Sequence, residues 1–242
     1  MPIHSRQRGN VLFIILIAVA LFAALSYAVT SSNRMGSSSI SRDKAKAYAA
    51  QIIQNSTNIR QAIMRVKISN GCTDATLDFS NGVYQNTSGA PTWPTNSNAP
   101  ASKVCHIFDS AGGGVTPVVP VHDAIDSSVA TGSTIKRGHG QLRVSQLAGI
   151  GTDGPAGTES ANDIGIIHKL LKKEVCIAIN DMVGVANPSG NPPPAAGSGS
   201  GGSYTNGSLA ATGISSTAPG SPVYCQDSGG GDYQYFHALV ER

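Results

Sequence analysis

The residues best equipped for chemistry are four cysteines, Cys72, Cys105, Cys176 and Cys225. No two stand at metal-ligand spacing and no CxxC occurs, so neither a zinc site nor thioredoxin-like redox chemistry is expected. An even number, in a body that the N-terminal segment places outside the cytoplasm, points instead to two disulfides. Three connectivities are open. Cys72–Cys105 and Cys176–Cys225 are favoured because each encloses a turn-rich stretch with no core of its own. Each closure should stabilise by roughly 3.5–4.3 kcal/mol when the effect is assigned to chain entropy.

Other motifs give less. Gly149-Ile150-Gly151-Thr152-Asp153-Gly154 fits the GxGxxG pattern. A dinucleotide site needs that loop to open directly into a helix whose N-terminus holds the pyrophosphate. Pro155, Ala156, Gly157 and Thr158 follow instead, so the segment reads as a Gly-rich turn. No GK[ST] loop, HExxH or GxSxG occurs. Each of the six histidines is far in sequence from an obvious catalytic partner. His139, between two glycines, reads as a turn residue, and His237 as a packed or half-exposed strand residue. Asp123, Asp126 and Asp153 could bind calcium, but their spacing matches no calcium loop and solvated turns are the plainer reading. No catalytic residue, metal or cofactor is therefore expected, and the chain does not read as an enzyme.

The elements that must position these residues begin with an apolar run. Val11 to Ala28 is almost wholly apolar, and no charged residue falls between Arg8 and Arg34. As a helix the run is roughly 27 Å long, just enough to cross a bilayer core. Arg6 and Arg8 place its N-terminal end in the cytoplasm. A secretory signal peptide cut after Ala28 and a plain signal anchor are both open readings.

The chain continues without a break signal. No Pro occurs from Ile3 to Ala90, and Gly36 is the only Gly between Gly9 and Gly71. Ala45, Ala49, Ile52, Ser56, Ile59, Ile63 and Val66 step by four and three, the spacing of one helical stripe. One helix over 10–69, roughly 87 Å if unbroken, is the simplest account. Its weak joint is the Ser-rich stretch Ser31 to Ser39, since Gly and Ser are poor interior helix residues. Asn70-Gly71 ends it.

Beyond Gly71, Cys72 to Pro120 reads as loop with short strands, and Thr134 to Leu147 as a strand around Leu142, Val144 and Leu147. A second helix is expected over 163–182, its apolar face running Ile164, Ile167, Leu171, Val175, Ala178 and Met182, capped by Ser160 or Asn162. Residues 187–220 are of low complexity and read as an exposed, mobile loop. Asp232 to Val240 alternates with aromatics on both faces, as a strand interior to a sheet does. Only 13% of residues are charged and the net charge is +3, with the cations dispersed. No nucleic-acid groove follows from that. A multi-pass membrane protein is disfavoured too.

Arg6-Gln7-Arg8-Gly9 followed at once by Asn10-Val11-Leu12-Phe13-Ile14-Ile15 resembles the leader and mature start of type IV pilins and type II secretion pseudopilins. The resemblance covers 6–35 by motif and 36–69 by helix pattern. It implies cleavage between Gly9 and Asn10 by prepilin peptidase and N-methylation of Asn10. Loss of the leader's Arg6 and Arg8 takes the formal charge from +3 to +1. It implies three parts: a leader at 1–9, a helix at 10–69 with 10–29 as membrane span and later filament core, and a head at 70–242. The core would be Val11, Leu12, Phe13, Ile14, Ile15, Leu16 and Ile17, packed among other copies or related pilin subunits once they leave inner-membrane lipid. Ile14 is a departure: the family usually has Glu there to pair with a neighbour's N-terminal ammonium, and a buried charge needs such a partner. Some minor pseudopilins at filament tips also lack that Glu.

The expected fold is thus α+β and pilin-like: a long N-terminal helix, membrane-spanning in its first half, packed on a small antiparallel sheet with a second short helix. The expected function is structural, as a subunit of a type IV pilus or pseudopilus. The head would lie outside the inner membrane and later in a periplasmic or cell-surface filament. The alternative is a signal-anchored or secreted monomeric binding or adhesion domain.

Overall fold

The computed structural model describes residues 9–32, 40–81, 96–126, 142–147, 163–195 and 221–241. The chain divides into two compact units, Met1–Ser39 and Ile40–Arg242. The first holds α1 (Gly9–Ser32), a 24-residue helix. The second opens with α2 (Arg42–Asn70), then holds β1 (Leu142–Leu147), β2 (Asp163–Leu171), α3 (Lys173–Val183), β3 (Val223–Asp227) and β4 (Tyr233–Val240).

The continuous helix expected over 10–69 is not formed. Ser41 is extended, with ψ 150°, and its side chain accepts a hydrogen bond from the Lys44 N–H, so α2 starts afresh at an N-cap. Nor does the expected membrane-spanning first half appear: among the described residues, no helix is long and apolar enough to cross a membrane. The pilin-like architecture expected from the sequence therefore gives way to two separate helices and a four-stranded sheet. The physical cause at the joint is local. A serine that accepts from the N–H three residues on competes with helix continuation, and Gly36 and its serine neighbours add no helix propensity to oppose it.

The stripe read along α2 is the buried face of that helix. Ala45, Ala49, Ile52, Ser56, Ile59, Ala62, Ile63 and Val66 are all buried, and Gly71, at φ 66°, caps the end by donating to the Val66 carbonyl. Covering each of the larger side chains contributes about 1.5–3 kcal/mol relative to water.

The sheet is antiparallel throughout, in the order β1-β2-β4-β3. β4, whose alternation marked it as an interior strand, lies between β2 and β3. Val144, Ile164, Ile166, Tyr235 and Leu239 join the α2 stripe in the main core. Ile167, Tyr224, Phe236 and Ala238 form a smaller cluster, in which the paired Tyr224 and Phe236 rings stack at 5.1 Å.

The helix expected over 163–182 is half strand. Asp163–Leu171 is β2, Lys172 is the N-cap, and only Lys173 onward is helical. The apparent stripe was a coincidence of spacing. Ile166, which lies off it, is buried as deeply as Ile164 and Ile167, and Leu170, also off it, is buried too, as befits a strand covered on both faces. β-branched residues and Gly165 favour that outcome. Leu170, at φ 63°, turns the chain into α3 while its N–H donates to Asp232 and its carbonyl accepts from Asp126. Of the strand expected at 134–147, residues 142–147 are β1; 134–141 lie outside the described residues.

Two disulfides close the head, Cys72–Cys105 and Cys176–Cys225, the pairs favoured from the sequence. The first ties the end of α2 to the segment 103–114; the second ties α3 to β3. Beside the second, buried Asn180 covers the outer edge of β3. Its Oδ1 accepts from the Cys225 N–H and its Nδ2 donates to the Cys225 carbonyl, each at 2.8 Å. Further along that edge, the Asp227 N–H donates to the Pro193 carbonyl, and its carbonyl accepts from Ala195. Residues 193–195 of the low-complexity stretch thus pair with the sheet edge, and Pro188–Gly190 form a short 3-10 turn; 196–220 lie outside the described residues.

Candidate functional site

α1 carries the first candidate surface. Its residues are apolar on every side of the helix, so no amphipathic face exists to pack against a core. Each described side chain from Phe13 to Ala24 is exposed. Phe13 is 63% exposed, Leu16 64% and Phe22 74%. Ile14, Ile15, Ile17, Val19 and Leu21 are exposed as well. Covering these eight large side chains would release on the order of 10–20 kcal/mol, a driving force no lone helix can satisfy in water. Gly9 and Asn10 form the first turn of α1, followed by Val11 and Leu12; the side chains of 9–12 lie outside those described.

The head holds a second candidate site that sequence reasoning missed. Asp78 is fully buried, and its two carboxylate oxygens accept from the backbone N–H groups of Ser80 and Asn96, each at 2.6 Å. His106, 8% exposed, stands with Nδ1 3.7 Å from Asp78. Beside them lies a cleft of about 430 Å³ lined by Ser80, Asn81, Lys103, His106 and Asp109. Phe108 and Pro117 complete its wall. Lys103 and Asp109 pair at 3.1 Å. The Asp109 carboxyl is held below its usual range by the Ala111 N–H and then by the Lys103 ammonium. The one sequence signal for this loop was Gly112-Gly113-Gly114. A Cβ on Gly112 or Gly113 would collide with the carbonyl oxygens of His106 or Ile107, so only glycine lets the loop fold back this closely.

The remaining sequence candidates do not assemble. His237 is buried, and its Nδ1 lies 2.8 Å from the Tyr235 hydroxyl. Burial, aided by Arg60, pushes its pKa down to about 4, while burial raises that of Tyr235. Asp123 accepts from the Tyr48 hydroxyl at 3.5 Å, and Asp126 is tied through its backbone to Leu170. His139, Asp153 and the GxGxxG segment Gly149–Gly154 lie outside the described residues. Among the described residues no group of three or more His, Cys, Asp or Glu could hold a metal ion.

Comparison with protein-family models, curated proteins and solved structures finds no match to this chain. Its function is therefore read from its own residues.

Proposed function

We propose that this protein is a structural subunit of a type IV pilus or pilus-like filament, assembled through α1. The observation that carries the reading is the unbroken exposure of apolar side chains from Phe13 to Ala24 on a unit separate from the head. Such a surface needs an apolar partner, and identical helices on sibling subunits supply one of matching length and chemistry. The basic leader ending at Gly9 supports the same reading, with prepilin peptidase cutting before Asn10. Lipid of the inner membrane covers the apolar side chains before assembly, and the head lies in an oxidising compartment suited to its disulfides. Ile14, where the usual register-setting Glu is absent, fits a minor or specialised subunit. The role is structural and not catalytic.

The second reading, a signal-anchored or secreted monomeric binding domain, draws on the polar cleft in the head. N-terminal sequencing of the mature protein separates the two. A chain starting at Asn10 supports the filament subunit. One starting at Val29 supports secretion, and an intact Met1 supports an anchor.

A further inference from the structure

We propose that the cleft beside His106 binds a neutral saccharide. This inference concerns the head alone and does not rest on the filament reading.

The cleft is built and not incidental. The first disulfide anchors its loop at Cys105, and the glycines of 112–113 hold the loop against His106 and Ile107. Lys103 sits at φ 61°, a conformation that disfavours a side chain, and yet a lysine occupies it. Strain of this kind gathers where a side chain is needed at one particular spot. The ammonium is then aimed at Asp109, six residues further along the loop.

The lining chooses the class of ligand. The two charged side chains that line the cleft, Lys103 and Asp109, already neutralise each other. An anion would have to displace Asp109 and a cation Lys103, so the cleft has no net attraction for either. What it offers is a close-set mixture: an ammonium, a carboxylate, an imidazole backed by a buried carboxylate, an amide and a hydroxyl. Adjacent sugar hydroxyls each donate and accept, so a vicinal pair can bridge Lys103 and Asp109 without breaking their pairing. The Phe108 ring and the Pro117 pyrrolidine give apolar surface for the C–H face of a pyranose. A volume of about 430 Å³ accommodates a mono- or disaccharide.

The test is saturation-transfer NMR on the full chain in a non-glycosidic detergent. The probes are D-glucose, D-galactose and N-acetyl-D-glucosamine, with glucose 6-phosphate and glucosamine as charged comparators. Retention on dextran or agarose beads forms a second arm, which separates a free sugar from a glycan chain. We expect transfer to at least one neutral sugar, or bead retention. Lys103→Gly and Asp109→Asn should each weaken that binding tenfold or more, while Met182→Ala on α3 leaves it unchanged. Lys103→Gly suits the test because glycine accepts φ 61° and the loop keeps its fold, which thermal unfolding checks. Absence of transfer and retention with every neutral sugar would overturn the proposal. So would binding indifferent to both loop variants, or a preference for the charged sugars.

Discussion

His237 shows what a single buried titratable group does to the head. Its folded pKa of about 4 lies below the ordinary value of 6.5. Across that interval the unfolded chain binds a proton that the folded chain refuses. The contribution is therefore complete above pH 6.5 and is lost as pH falls towards 4, amounting to about 3 kcal/mol at most. Urea midpoints at pH 7 and pH 4.5 should differ more for the wild type than for His237→Gln. Equal differences would show that the imidazole is not held neutral by its surroundings. Tyr235, Arg60 and the Glu241 partner of Arg60 form the setting that the variant leaves in place. None of this was legible beforehand. Strand alternation marked His237 as packed or half-exposed, but which neighbours close over it depends on α2, far away in the chain.

At the scale of elements, α2 was readable and β2 was not, for one physical reason. α2 has a solvated side, so its burial leaves a stripe in the sequence, and the N-cap Ser41 only shifts where the stripe begins. Ile59→Ala, in the middle of that stripe and fully buried, should cost about 2–5 kcal/mol in urea unfolding. Ser41→Ala should cost about 1 kcal/mol, measured in the same way. β2 is buried on both faces, and a segment without a polar side carries no period to read. The off-stripe Ile166 and Leu170 were the available clue. The cysteine pairing was legible because loop closure is worth most where no local core exists. The cleft was not, since His106, Asp78 and Asp109 acquire their relation only through a glycine-dependent turn. Asn180 is another such residue. Asn180→Ala leaves the Cys225 N–H and carbonyl buried without partners and should destabilise by about 2–4 kcal/mol, again by urea unfolding.

The molecule as a whole divides into two compact units, and the proposed filament role falls to the first. Leu16→Asp places a carboxylate on the exposed apolar helix and should abolish filament assembly, scored by electron microscopy and shearing of cells. The melting temperature of the head should stay within a few degrees of wild type, because its core draws on residues from Ala45 onward. Unchanged filament levels in the Leu16→Asp strain would remove the helix from assembly.

The filament proposed above would bring many heads together and expose each to a hazard of its own making. Open strand edges at high local density zip into cross-β deposits. Here Asn180 and the 193–195 segment occupy the free flank of β3, so lateral growth of the sheet is blocked on that side. In the proposed filament, heads can therefore crowd at that flank without fusing, and ordered association is left to α1.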